Sequence, residues 1–399
     1  MDKDIYFHKT VTFNAGKQQL QFRTSQELFS SHDIDTGTRF LLRSVIGAGY
    51  QLKNILDVGC GYGPLGLMLR KIYPESNVHM IDRDALAVAY SRQNAEINGL
   101  NGIEIYGSLG YDDVKRGDFD LIVSNIPGKA GEAVITYLLQ EARYYLAAKG
   151  ITAIVMVAAL EPLAAKVLEE TPGCEIVLRR KRAGHAIFHY RFNAKITKPD
   201  RSGFERGVYD RDNIKIRLED VEYAMQPAYG LPEFDSLSFG SEMLIATMIN
   251  MKERDVRRAA VFNPGQGHTA VALYKLINPA TIELVDRDLL ALRYSRLNLI
   301  QNRCPPERIV LWHQVGMARE AKEKLDLIAG VLRDEGREAN LWILRQATGE
   351  LKPGGTMIIA GGSTAITRLA SSIEEEGRIR VKGRERRRGY SLLMLEKVL

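Results

Sequence analysis

The sequence predicts an α/β fold built as two tandem doubly wound domains, each a mostly parallel sheet flanked by helices. Three observations lead there: a long internal repeat, a regular alternation of apolar strands with helical patterns, and a glycine-rich turn joining a strand to a helix. The repeat is the most direct. Met80–Ile81–Asp82–Arg83–Asp84–Ala85–Leu86–Ala87, continuing through Tyr90–Ser91–Arg92–Gln93–Asn94, returns as Leu284–Val285–Asp286–Arg287–Asp288–Leu289–Leu290–Ala291 through Tyr294–Ser295–Arg296–Leu297–Asn298. Identical spacing over such a length identifies a duplicated domain, and a chain of 399 residues suits two. We expect a first domain over 1–195, a polar linker over 196–213 containing Pro199 and Gly203, and a second domain over 214–399.

Residues 5–24 alternate around Asn14–Ala15–Gly16–Lys17 and predict a β-hairpin. Glu27–Leu28–Phe29–Ser30 follows, then Asp35–Thr36–Gly37–Thr38 opening a helix at Arg39–Val45. From Asn54 the alternation begins: Ile55–Val58, Leu65–Ile72, Val78–Ile81, Ala85–Asn98, Ile103–Tyr106, Leu121–Ser124, Ala133–Leu146 and Ile151–Val157. That βαβ order predicts parallel strands covered by helices. The second half has counterparts in Pro232–Glu233–Phe234–Asp235 and in Ser238–Phe239–Gly240–Ser241 before a helix at Glu242–Ile249. Each half closes in a strand pair whose turn is expected to carry a basic cluster, Arg179–Arg180–Lys181–Arg182 in one and Arg384–Glu385–Arg386–Arg387–Arg388 in the other.

The composition is that of a globular protein, 45% hydrophobic and 26% charged. The three cysteines, Cys60, Cys174 and Cys304, have neither metal-type spacing nor the density of a disulfide framework, so no metal and a reducing cytoplasm are expected. The N-terminus lacks the order of a signal peptide, and the longest apolar run, Ile151–Leu160, is too short to span a bilayer; no membrane partner is expected. Net charge is +6, which favours a polyanionic partner without deciding one.

Strand Asn54–Val58 runs into Gly59–Cys60–Gly61–Tyr62–Gly63 and then a helix. Glycines there let the backbone turn tightly and approach a bound cofactor. Asp82, at the end of the next strand, is placed to accept two hydrogen bonds from ribose hydroxyls. Asp57 before the glycines strengthens the set. The second copy is aligned as Asn263–Pro264–Gly265–Gln266–Gly267–His268–Thr269, with Asn263 at the Asp57 position and Thr269 at Gly63. Strand Asp120–Ser124 ends in the polar loop Asn125–Ile126–Pro127–Gly128–Lys129–Ala130–Gly131, at the sheet edge where open parallel sheets bind ligands.

Asp57-x-Gly59-x-Gly61-x-Gly63 resembles the first motif of class I S-adenosylmethionine (SAM)-dependent methyltransferases, a Rossmann-like fold. Residues 1–195 as a whole resemble the small-domain methyltransferase superfamily that includes the ribosomal RNA guanine-N2 methyltransferases of the small subunit. Leu28–Phe29–Ser30 with Asp35–Thr36–Gly37, Asp57–Gly63 and Asn125–Gly131 carry that resemblance. It implies seven-stranded sheets, SAM as cofactor held by Asp57, Gly59, Gly61, Gly63 and Asp82, and catalysis by Asn125, Ile126 and Pro127. The Asn125 side-chain oxygen and the Ile126 carbonyl would each accept an N–H of a guanine amine, aim it at the methyl sulfonium and stabilise the charge that develops. The sequence departs from the family in having Ile126 for the first proline of its loop, which would loosen it, and Gly128 for the usual aromatic.

Phe29, Lys129, Arg180 and Arg182 in the first half, with Arg386 and Arg387 in the second, are the candidate RNA contacts. His185 and His189 have no carboxylate near them in sequence and read as structural or surface residues. In the second half Val331 stands at the Asn125 position, so that copy is expected to be inactive and to serve RNA binding or stability. Two alternatives stay open. Asn125–Ile126–Pro127 also resembles the loop of tRNA guanine-N1 methyltransferases, and a non-catalytic RNA-binding or assembly protein descended from a methyltransferase would share most of these features.

Overall fold

The computed structural model describes residues 4–193, 196–375 and 377–398 and divides them between Tyr209 and Asp210 into two compact units. In the first unit, the hairpin of β1 (Lys9–Ala15) and β2 (Gln18–Thr24) precedes α1 (Thr36–Ala48). The core then follows as β3 (Asn54–Val58), α2 (Pro64–Ile72), β4 (Asn77–Asp82), α3 (Ala85–Ile97), β5 (Ile103–Gly107), β6 (Phe119–Asn125), α4 (Glu132–Glu141), β7 (Leu146–Val157), α5 (Glu161–Glu170), β8 (Cys174–Arg182) and β9 (His185–Phe192). They form one seven-stranded sheet in the order β5-β4-β3-β6-β7-β9-β8, parallel except for the terminal hairpin.

The second unit repeats this plan. Its hairpin is β10 (Ile214–Leu218) and β11 (Val221–Met225), followed by α6 (Phe239–Ile249), β12 (Arg258–Phe262), α7 (His268–Leu276), β13 (Thr281–Asp286) and α8 (Leu289–Gln301). Then come β14 (Ile309–His313), β15 (Leu325–Val331), α9 (Arg337–Glu350), β16 (Leu351–Gly362), α10 (Ser363–Glu374), β17 (Ile379–Arg387) and β18 (Tyr390–Lys397), with the sheet order β14-β13-β12-β15-β16-β18-β17. Among the described residues no helix is long and apolar enough to cross a membrane.

The repeated residues turn out to be clamps. Asn94 accepts from Arg23 N–H and donates to the Arg23 and Tyr62 carbonyls, tying α3 to the hairpin and to the glycine turn. Asn298 does the same with Gln226 and Gln266. Tyr90 donates to Asp4 and Tyr294 to Asp210. Asp84 and Asp288 cap α3 and α8, accepting from Leu86 and Leu290 N–H at 2.9 and 3.0 Å. Each bond satisfies a buried or helix-end polar group, which explains why these positions survive in both copies whatever became of the chemistry.

The stretch expected to be a linker is partly docked. Asp112 accepts from Gly203 and Phe204 N–H, and Arg206 pairs with Glu141 at 2.6 Å, so Ser202–Arg206 packs on the first unit. Lys195 lies outside the described residues.

Candidate active site

Strand order reverses between β3 and β6, so the loops at their carboxyl ends sit side by side at the switch point of the sheet. After β3 the Gly59 and Cys60 N–H groups both donate to the Ile81 carbonyl at 2.9 Å, folding the turn back over β4. Gly59 and Gly61 have φ of 73° and 57°, and a methyl added at either would meet nothing within 4 Å. The turn therefore keeps bare backbone facing open space, as a cofactor cradle requires. Asp82 stands beside it, one oxygen accepting from Gly61 N–H and the other from Asp84 N–H, both at 2.9 Å.

Asp57 lies beneath, 1% exposed. One carboxylate oxygen accepts from Gly66 N–H at 2.8 Å; the other is buried with no partner among the described residues. Burial pushes this carboxyl up to about 7, against which the Gly66 bond pulls only weakly. A side chain at Gly66 would place its Cβ 3.0 Å from the Asp57 carboxylate and 2.7 Å from Met80, so Gly66 is a site residue that the motif's glycine spacing conceals. An unneutralised buried carboxylate under an open glycine turn is suited to a cationic ligand, and the residues present fit a sulfonium nucleoside.

Asn125 ends β6 half-buried, its Nδ2 donating to Asp35 at 3.0 Å and to Thr38 Oγ at 3.1 Å. A carboxylate only accepts, so the NH2 must be the group facing Asp35. The amide oxygen is thereby turned away from this pair, and it accepts no hydrogen bond among the described residues. Asp35 in turn is the N-cap of α1, accepting from Thr38 N–H at 2.9 Å. The Asp-Thr-Gly-Thr stretch thus sets the orientation of an amide ninety positions away.

Ile126 does not loosen the loop. Its side chain is 3% exposed and its N–H donates to Val155 at 2.8 Å, a bond that proline could not make, so β6–β7 pairing continues one residue further. Pro127 closes a turn with Ala130, and Gly128 and Lys129 are exposed. A Cβ on Gly128 would lie 3.6 Å from Val157, itself 43% exposed, so an apolar floor remains where the family's aromatic would stand. Phe29 is 73% exposed on the loop whose next residue, Ser30, accepts from Tyr62 of the glycine turn.

The basic cluster is not in the turn. Arg179–Arg182 ends β8, and alternation along the strand divides it. Arg179 and Lys181 both bind Glu161, which is 2% exposed. Arg180 and Arg182 project from the other face, and Arg182 pairs in register with His185. In the second unit the corresponding residues end β17; Arg387 is held by Glu242 at 3.0 Å, and Arg386 is exposed. His189 is structural, as expected: it is buried between Ser44 and Tyr50, each at 2.8 Å, and burial lowers its imidazole to about 4. His185 is different. The fold brings it to Asp35, with Nε2 3.9 Å from the carboxylate.

The second copy aligns two residues away from the sequence expectation. Positive φ at Asn263, Gly265 and Gly267 matches Gly59, Gly61 and Gly63, and Asn263 N–H donates to Val285 of β13 as Gly59 N–H donates to Ile81 of β4. Asp57 therefore corresponds to Val261, and Gly66 to Ala270, so the second turn has no carboxylate beneath it. Asn263 corresponds to Gly59 and adopts the left-handed turn that asparagine tolerates. Val331 does occupy the Asn125 position, and Arg333, in place of Pro127, reaches back to bind Asp286. An internal guanidinium thus takes the carboxylate that matches Asp82.

A doubly wound sheet with a glycine turn, a ribose-type acid and an asparagine loop at its switch point defines a Rossmann-like methyltransferase fold. Residues 19–186 match the family model described as "Methyltransferase small domain". Uncharacterized protein YbxB of Bacillus subtilis is 34% identical over 143 residues, covering 36% of this chain and 71% of that protein. The chain belongs to the methyltransferase small-domain family. Ribosomal RNA small subunit methyltransferase C of Haemophilus influenzae is 35% identical over 35% of this chain and 41% of its own length. Ribosomal RNA large subunit methyltransferase G of Shewanella pealeana is 31% identical over 33% of each. The match thus spans well under half of either rRNA enzyme. A solved structure of a T. thermophilus 16S rRNA N2 methyltransferase in complex with AdoMet and guanosine shares the fold over 98% of this chain and 99% of that one, with a TM-score of 0.68 and 16% identity.

Proposed function

We propose that the first unit transfers a methyl group from SAM to the exocyclic N2 of a guanine in RNA, with small-subunit ribosomal RNA as the substrate. The observation that carries this reading is the Asn125 carboxamide, whose NH2 is held by Asp35 and Thr38 so that its oxygen is left to accept from a ligand at the switch point. Family membership and the small-subunit methyltransferase C relatives support it.

Gly59 and Gly61 would cradle SAM. Gly63, where a Cβ would fall 2.9 Å from Leu67 and 3.0 Å from Met80, would let the turn pack against α2 and β4. Asp82 would bind the ribose and the buried Asp57 would offset the positive charge. SAM supplies an electrophilic methyl carbon on a sulfonium. A guanine amine is a weak nucleophile because its lone pair is delocalised into the ring. Asn125 Oδ1 and the Ile126 carbonyl accept its two N–H bonds, fix its lone pair on the methyl and stabilise the developing charge. Phe29 and Val157 offer apolar faces to a base, and Lys129, Arg180 and Arg182 offer phosphate contacts. Pro127 holds the turn behind them. The second unit contributes the exposed Arg386 as a further phosphate contact, while Arg387, expected to share that role, is engaged by Glu242; this unit performs no transfer.

Asn125→Ala should abolish methylation of rRNA while calorimetry shows SAM affinity within about threefold of the original. Transfer at the original rate would end this assignment. Mass-spectrometric mapping of the product nucleoside as N1-methylguanine would move the target atom.

A further inference from the structure

The sheet order β5-β4-β3-β6 fixes the direction in which a nucleoside would lie. Asn125 ends β6 on one side of the glycine turn, and Asp82 ends β4 on the other. A ligand with its reactive end at Asn125 and its ribose at Asp82 runs along the strand ends, so its base extends over the end of β5. The loop that starts there, Ser108–Val114, therefore borders the cofactor site. Ser108 N–H donates to the Asp82 carbonyl at 2.9 Å, tying the first residue of the loop to the ribose acid. The loop also bonds to itself: Asp113 accepts from Leu109 N–H at 3.1 Å, and Ser108 Oγ accepts from Asp113 N–H at 3.2 Å.

Its outer side is held by residues that follow the last strand of the sheet. Asp112 accepts from Gly203 N–H at 2.8 Å, from Phe204 N–H at 3.0 Å and from the Tyr137 hydroxyl of α4 at 2.9 Å. That hydroxyl in turn accepts from Tyr111 N–H at 3.1 Å. Tyr209, 4% exposed, meets the Tyr137 ring edge to face at 6.3 Å. A methyl on Gly203 would fall 2.5 Å from the Tyr137 ring, and one on Gly110 would fall 2.7 Å from that ring and 3.2 Å from the Tyr209 hydroxyl. Arg206 anchors the segment further along, on the buried Glu141 at the end of α4. Tyr137 is thus clasped between the loop and the chain that leaves the sheet, and neither side can shift alone.

The second unit fastens the matching loop in another way. Gln314 N–H repeats the bond of Ser108, donating to the Asp286 carbonyl, and Gln346 of α9 accepts from Met317 and Ala318 N–H at 2.7 and 3.3 Å. There a helix of the same sheet grips the loop backbone directly. In the first unit α4 grips it through Tyr137 and shares the Asp112 carboxylate with Gly203 and Phe204.

We propose that Gly203–Tyr209 is the outer brace of the SAM site, in which Gly203, Phe204 and Tyr209 are positioning residues that keep the loop after β5 where the adenine needs it; this rests on the SAM binding proposed above. A loop already in place does not have to be ordered when the cofactor arrives, and affinity is higher for it. The cofactor site therefore depends on chain beyond the last strand of its sheet, through residues that act on the loop from behind.

The test uses two variants of the full chain. Gly203→Ala presses on Tyr137, and Asp112→Ala removes the acceptor of both brace N–H groups. Without ligand, amide hydrogen exchange should quicken in peptides spanning 106–114 and 200–209 and stay unchanged across β3 and β4. By calorimetry SAM and adenosine should each bind about tenfold more weakly, the factor expected when the loop is in place about a tenth of the time. Methylation of rRNA at saturating SAM should stay within about twofold of the original, which puts the loss in KM for SAM and not in kcat. Quickened exchange of the loop with SAM affinity within about twofold of the original would overturn the proposal, as would unchanged exchange in both variants. A loss seen with SAM and not with adenosine would overturn it too, and so would an equal fall in the rate at saturating SAM. If the original protein binds neither SAM nor adenosine, the methyltransferase reading falls and the brace with it.

Discussion

Asp57→Asn should make the ligand-free protein more stable at neutral and alkaline pH. The side chain is fully buried, with one oxygen satisfied by Gly66 and one by nothing among the described residues. Its carboxyl moves from an ordinary value of 3.8 to about 7, chiefly through burial. Because the folded value is raised, the stabilising contribution is complete below 3.8, declines as pH rises toward 7 and is gone above it. A gap of that size corresponds to about 4 kcal/mol by linkage. Asparagine removes the titration and keeps the acceptor for Gly66, but its NH2 meets the same lack of partners as the lost oxygen. The net gain expected for the variant at pH 8 is therefore about 1–3 kcal/mol, shrinking to nothing near pH 4. Both tryptophans, Trp312 and Trp342, belong to the second unit, so their fluorescence reports the wrong sheet. Native-state hydrogen exchange of β3 and β4 peptides in the full chain, at about pH 8, 6 and 4, is the suitable assay. A variant that exchanges faster than the original at pH 8, or a difference independent of pH, would refute the argument. The same variant should lose SAM affinity, since the charge beneath the glycine turn is gone.

Asp35→Ala removes the single carboxylate oxygen that both caps α1 and holds the Asn125 NH2; in parallel rate and melting measurements, methylation should fall about tenfold to a hundredfold with a stability loss of about 0.5–2 kcal/mol. Asp35→Asn, whose one oxygen can take both bonds, should stay close to the original in both measurements. Arg333→Ala strands the buried Asp286 and should cost the second unit about 2–3 kcal/mol in urea unfolding followed by tryptophan fluorescence, while calorimetry gives one SAM per chain before and after. Arg180→Ala with Arg182→Ala should weaken RNA binding and flatten its salt dependence at unchanged stability. Arg179→Ala with Lys181→Ala should do the reverse, because those two residues serve the buried Glu161; equal effects of the two pairs on RNA affinity would contradict the division of the strand.

Much of the architecture was legible in the chain. Alternation of apolar runs with helical periods marks elements whose burial is decided locally, and Asp82–Arg83–Asp84 with its copy marks a strand end and a helix cap that any copy of the fold must keep. The glycine turn and the Asn125 loop were legible for the same reason. Local spacing is ambiguous at three places, and there it misleads. Gly265 and Gly267 fit the first copy's glycines in two registers, and only backbone handedness and the bond to β13 select between them. Ile126 looked like a weakened proline because its N–H partner, Val155, is distant in the chain. Four consecutive basic residues looked like one patch until strand alternation assigned two of them to Glu161.

By itself the sequence determined that the fold occurs twice, which copy keeps an asparagine at the end of its central strand, and which turn can admit a cofactor. Those properties depend on neighbours a few residues apart. The tertiary structure alone decided which way the Asn125 amide faces, how deeply Asp57 is buried and that His185 meets a carboxylate. Each of these depends on groups far apart in the chain, Asp35 and His185 being separated by most of the first unit, and no local pattern encodes a contact that only closure of the sheet creates.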